Sequence, residues 1–164
     1  MTTASVPRSL LPEAAALFNP AFGAYLLAAA AGAHQRAGNT PLPYLSSFLV
    51  LPLVLPPDSR TALPRDTRTS LTAWLTRNPQ LRAAYPARAA ALTAYARTSH
   101  RFALRQGTYR VDPTGIVLAR RLPSLSRASR HDEMAQCTTA AALVGRWFAA
   151  TPTATAFTLL GVMP

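Results

Sequence analysis

Three histidines and one cysteine are the side chains of this 164-residue chain best suited to metal or nucleophile chemistry. His34, His100 and His131 lie far apart in the sequence, and Cys137 is alone. His131, Asp132 and Cys137 are near one another, but their spacing fits no standard zinc pattern. A Cys–His nucleophile would have to use Cys137. That residue falls on the inner face of a predicted helix, where a thiol is an inert core group. Carboxylates that could work as an acid–base pair are equally scarce. Asp58 and Asp66 lie in a proline-rich connector, Asp112 in a turn, and Asp132-Glu133 at a helix start. There is no Gly-rich phosphate loop, no Walker lysine and no Gly-x-Ser-x-Gly elbow. An enzyme would need its acid–base pair assembled from distant positions. The residues therefore read as non-enzymatic, with no metal, no cofactor and no small-molecule substrate.

The arginines carry more information. All 17 basic residues are arginine, against 6 acidic ones, for a formal net charge of +11. A GC-rich genome would favour arginine over lysine, but it would not explain the scarcity of acids. Such a charge attracts acidic proteins or polyanions. Arg97, Arg101 and Arg105 recur one helical turn apart, and Arg110, Arg120 and Arg121 follow on or beside a predicted hairpin. They form either a solvated basic face or a continuous surface for the phosphates of DNA. Arg146 and Trp147 lie in an apolar helix, where an unpaired charge is costly. They read as either a structural anchor or a hot-spot pair at a partner interface.

These residues need elements to position them. Hydrophobic residues make up 49% of the chain, which excludes intrinsic disorder, and a single cysteine excludes a disulfide scaffold. Residues 1–18 read as an N-terminal arm with a short helical piece at Glu13–Phe18, and residues 19–164 as a single helical domain. Asn19-Pro20 starts a helix that runs to about Gly38. Tyr44 to about Leu51 reads as a central helix buried on all sides. Its apolar window, Tyr44–Leu55, is shorter than the roughly 20 residues needed to cross a bilayer. With no secretory signal, the expected location is the cytoplasm, with Cys137 reduced and no membrane partner.

Pro56–Asp66 reads as a rigid connector with at most one helical turn. Thr67 is expected to cap a helix over residues 68–77. After Asn78-Pro79 and a short turn, Pro86 is expected to open a long helix to about Gln106, with Leu92, Tyr95, Ser99 and Phe102 facing inward. Thr108–Val111 and Ile116–Leu118 flank Asp112-Pro113-Thr114-Gly115 and make a small hairpin. Pro123–Arg130 reads as a serine-rich loop. Asp132 and Glu133 then start a helix that buries Cys137, Val144 and Phe148. The fold class is mainly α with one hairpin. The order helix, turn, longer helix, hairpin is also that of a winged helix-turn-helix. That order leaves open a stand-alone DNA-binding regulator.

Several segments together resemble a known family. They are Asn19-Pro20-Ala21-Phe22, Phe48-Leu49-Val50-Leu51-Pro52-Leu53-Val54-Leu55, Leu63-Pro64, and Thr69-Ser70-Leu71 with Trp74. Asn78-Pro79, Leu143-Val144-Gly145-Arg146-Trp147-Phe148-Ala149 and Leu160-Gly161-Val162-Met163-Pro164 complete the set. In order and spacing, over roughly residues 15 to 164, the chain resembles the middle component of bacterial three-component ABC systems. The resemblance implies an adaptor that joins an SMC- or Rad50-like ABC ATPase to an effector protein, in biological conflict and antiphage defence. The alternative role that the resemblance leaves open is to help clamp DNA. Met163 departs from the family, where a basic residue is expected.

Overall fold

The computed structural model describes residues 18–123 and 132–164. The N-terminal arm before Phe18, the loop from residue 124 and His131 lie outside the described residues. The fold is mainly α with one antiparallel hairpin. In chain order the elements are α1 (Pro20–Gly38), α2 (Tyr44–Ser47), α3 (Val50–Val54), α4 (Pro57–Ala62), α5 (Leu71–Arg77) and α6 (Pro79–Arg105). Then come β1 (Tyr109–Asp112), β2 (Gly115–Leu118), α7 (Glu133–Ala149) and α8 (Thr153–Leu160).

Helix α1 is the centre of the core. Asn19 caps it, its side-chain oxygen accepting from the Ala21 N–H at 2.9 Å, and Pro20 occupies the first turn. The helix ends at Gly38, as expected, and the capping position after it falls to Asn39. Asn39, at φ 55°, takes the left-handed position and donates to the Gln35 carbonyl. From Phe22 to His34 nearly every residue is buried, including the run Leu26–Ala31. Such a helix must be small-sided to fit between neighbours, and its alanines make it so. It packs along both α7 and α6. At the α7 crossing, a Cβ on Gly145 would run into the Ala30 carbonyl, lying 2.9 Å from its carbon and 3.0 Å from Ala30 Cα.

The segment expected to be one buried helix is two. Tyr44–Ser47 and Val50–Val54 are separated by Phe48-Leu49, and Tyr44 and Leu45 reach the surface while Val50–Val54 is fully buried. Pro52 is the third residue of α3, inside the first turn, where its missing N–H would have had no partner. The proline-rich connector holds the six-residue α4, more than the single turn expected. Ser70, not Thr67, caps α5, because its hydroxyl reaches the Ala73 N–H at 3.2 Å. The connector is pinned by two indoles. Trp74 donates to the Ala62 carbonyl and Trp147 to the Thr69 carbonyl, each at 2.8 Å, with ring centroids 5.5 Å apart.

Pro86 does not open α6 but sits inside it, so that one helix of 27 residues runs from Pro79 to Arg105. Pro86 has no N–H to offer the Arg82 carbonyl. Arg82 lies on the exposed side of the helix. The buried residues of α6 are Leu81, Tyr85, Ala96, Ser99, His100 and Ala103; of the expected stripe only Ser99 is among them, and Phe102 is exposed. Only Asn78 joins α5 to α6, a tighter joint than the three- to four-residue turn typical of a helix-turn-helix.

The hairpin pairs Tyr109 with Leu118 and Val111 with Ile116. It is docked by the Ile116 N–H donating to the Leu42 carbonyl at 2.8 Å. Helix α8 ends in a left-handed Gly161 at φ 68°, with the Val162 N–H returning to the Phe157 carbonyl at 3.1 Å.

The α1–α7 crossing gives a direct test. Gly145→Ala places a methyl against helix backbone that cannot rotate away. It should lower stability by about 2 to 3 kcal/mol, although the same change in an exposed helix gains up to about 1 kcal/mol. Urea unfolding followed by circular dichroism should show a lower midpoint for the variant. An unchanged midpoint would refute the close approach.

Candidate functional site

An open groove of about 820 Å3 lies between α2, α6 and the end of α8. Helix α2 contributes Tyr44 and Leu45, α6 contributes Pro86, Ala89, Ala90 and Leu104, and Phe157 with Gly161–Pro164 forms the third wall. Arg97 and Arg101, one turn apart on α6, also line it. Most of the exposed large apolar residues gather here: Tyr44 is 37% exposed, Leu45 50%, Leu104 44% and Met163 93%.

His100 lies beneath the groove, only 2% exposed. Its ring packs against Tyr44 and Phe48 with centroids 4.9 and 5.0 Å away. Both nitrogens are used. The Ser47 hydroxyl donates to the Tyr44 carbonyl at 2.6 Å, so it accepts from Nε2–H at 2.9 Å, and Tyr109 Oη–H donates to Nδ1 at 2.7 Å. Burial lowers the His100 pKa to about 4 and raises that of Tyr109. Ser47 and His100 have the atom types of a nucleophile and its base. However, Ser47 is completely buried and its proton is already committed to a carbonyl. The trio is a strut that joins α2, α6 and β1. Sequence reading missed it, because Ser47, His100 and Tyr109 carry no shared spacing signal.

The arginines divide by environment. Arg97, Arg101 and Arg105 are all exposed on α6, and none has a carboxylate partner among the described residues. Arg110 on β1 lies 3.8 Å from Asp112, and Arg121 is exposed beyond the hairpin. Arg120 is spent locally. Its guanidinium donates to the Gln106 carbonyl and, at 3.2 Å, to that of Gly107, so that it caps the end of α6. Trp147 is 2% exposed, and its hydrogen bond to Thr69 makes it an anchor within the core. Arg146 is half-buried on the same helix, and its charge helps hold the Asp66 carboxyl below the usual range, behind the larger effect of Arg68.

Arg60 is a further arginine that sequence reasoning did not single out. Its side chain is 8% exposed, and it donates to the Val54 and Leu55 carbonyls at 3.0 and 2.7 Å and to Glu133 at 2.6 Å. The end of α3 is thereby clipped to the start of α7. Cys137 is buried and its thiol is pushed up to about 11, first by burial, as an inert core group requires. Among the described residues no group of three or more His, Cys, Asp or Glu could hold a metal ion. No described helix is long and apolar enough to cross a membrane.

The model of one protein family, the ABC-three component (ABC-3C) system Middle Component 3, matches residues 8–164. The chain belongs to that family. The match spans the groove, the arginine face and the Trp74–Trp147 core alike. It agrees with the resemblance carried by the segments from Asn19-Pro20 to Leu160-Gly161. No curated protein and no solved structure matches this middle component.

The buried imidazole makes stability depend on pH. Because the folded pKa of His100 is about 4 and its ordinary value 6.5, the unfolded chain binds more protons between those values. Stability is full above pH ~6.5 and falls by about 3 kcal/mol as the pH drops to ~4. The lowered carboxyls of Asp58, Asp66 and Asp112 act only at still lower pH. Urea midpoints measured across this window should fall for the native protein and stay nearly flat for His100→Gln.

Proposed function

We propose that this middle component is a non-enzymatic adaptor. In this reading it joins an SMC- or Rad50-like ABC ATPase to an effector protein in a cytoplasmic antiphage system. Membership of the middle-component family carries the reading. The geometry supports it, since the chain offers an open apolar groove and unpaired arginines, while its best nucleophile–base pair is sealed in the core. Trp147 serves such an assembly by holding the connector in place, and the half-buried Arg146 beside it is a second contact for a partner subunit. Co-expression with the ATPase and effector encoded alongside should yield a complex that survives gel filtration. If neither subunit associates with the chain, the adaptor reading fails.

A second reading, direct contact with DNA by a winged-helix-like regulator, is favoured by one observation. Arg97, Arg101 and Arg105 face solvent along a single stripe of α6, with Arg110 and Arg121 as further exposed cations on and after the hairpin. If these side chains meet phosphates, replacing the three α6 arginines with alanine should reduce the slope of log affinity against log salt by about 3. An unchanged slope, measured by fluorescence anisotropy on a short duplex, would reject it.

A further inference from the structure

The groove and its arginines specify a kind of ligand more closely than the adaptor reading does. Its walls are mostly apolar, and they leave Leu45 on α2 and Leu104 on α6 about half in water. Both nitrogens of His100 are occupied from below. A small polar molecule would therefore find few hydrogen-bonding groups converging on it. At the edge, Arg97 and Arg101 stand one helical turn apart, about 6 Å along α6.

No Asp or Glu side chain among the described residues pairs with either of them. Asp58 is held by Arg88 and Asp66 by Arg68, each through a hydrogen-bonded ion pair. Asp112 accepts from the Thr114 N–H, Asp132 caps α7 and Glu133 holds Arg60. None of these lines the groove. Among the described residues no Asp or Glu lines this rim, so a segment that carries carboxylates complements it.

Three polymers could supply contacts. A nucleic-acid backbone would satisfy the arginines but leave the apolar Leu45 and Leu104 unused. A second copy of this chain would bring a net charge of +11 to a basic rim. A helix with large apolar side chains on one face and Asp or Glu beside them satisfies both parts at once.

We propose that the groove between α2, α6 and α8 seats an acidic amphipathic helix of a partner subunit. Leu45 and Leu104 pack against its apolar face, and Arg97 and Arg101 pair with carboxylates one turn apart. The proposal rests on the adaptor reading and adds the surface and the chemistry of the contact.

The test uses the full chain with its purified ATPase and effector subunits. Arg97→Glu/Arg101→Glu and, separately, Leu45→Glu/Leu104→Glu should each weaken binding to one subunit by about tenfold or more. Arg82→Glu, a single charge reversal on α6 outside the groove, should leave binding as it was. The substituted side chains are exposed, so melting midpoints should stay close to native. A benzophenone amino acid at Leu45 should crosslink to a segment of that subunit rich in both apolar and acidic residues.

Native affinity in both double variants would overturn the proposal, as would crosslinking chiefly to a second copy of this chain. Loss of short-duplex DNA binding in Arg97→Glu/Arg101→Glu, with subunit binding intact, would reassign the arginines to nucleic acid and also overturn it. If the native chain binds neither subunit, the adaptor reading fails and the proposal with it. If the complex forms and both double variants bind as the native chain does, the groove assignment alone fails and the adaptor reading stands.

Discussion

The close approach of α1 to α7 is the constraint from which the rest of the fold follows. Gly145 lets the backbone of one helix lie against the carbonyl of Ala30 in the other, with no side chain between them. Helices this close have no space for large residues at the crossing, which is why α1 carries Ala28–Ala33 there. Larger apolar groups are displaced to the flanks, where Leu26, Leu27, Leu51, Leu53 and Leu143 fill the core. With α1 enclosed, α6 must cover its remaining side. The outer face of α6 is then what the molecule shows to solvent.

Charge follows the same division between inside and outside. The described carboxylates are consumed in fastening the chain to itself, as the Arg60 clip between α3 and α7 illustrates. Removing one member of that clip would strand polar groups that are partly shielded from water. Exposed pairs such as Arg68–Asp66 contribute far less, because solvent screens them. The arginines on the outward stripe of α6 take no part in this fastening, and their field extends into solvent unopposed.

Local signals were the readable part of the sequence. Asn19-Pro20 announced α1, Asp112-Pro113-Thr114-Gly115 announced the hairpin turn, and Asp132 announced α7, since each acts within a few residues of itself. Errors arose where tertiary packing outweighed a local rule. Pro86 reads as a helix start, but burial of Tyr85, whose hydroxyl donates to the Leu49 carbonyl at 2.9 Å, holds the helix together through it. Thr67 and Ser70 are equally good caps in isolation, and Trp147 binding to the Thr69 carbonyl selects the later one. The arginine stripe of the candidate site was visible from its spacing. The groove beside it was not, because its walls come from three elements far apart in the chain and its apolar character depends on where those walls meet. His100 looked like a stray histidine for the same reason.

Gly161 has a consequence that reaches beyond helix α8. Its left-handed backbone swings Val162, Met163 and Pro164 across toward Pro86, and those residues are one wall of the groove. The other two walls are helices seated in the core and cannot easily shift. The width of the groove therefore depends in part on the backbone turn at Gly161. Related chains could be retuned for thicker or thinner ligands at this one joint, leaving the hydrophobic interior untouched.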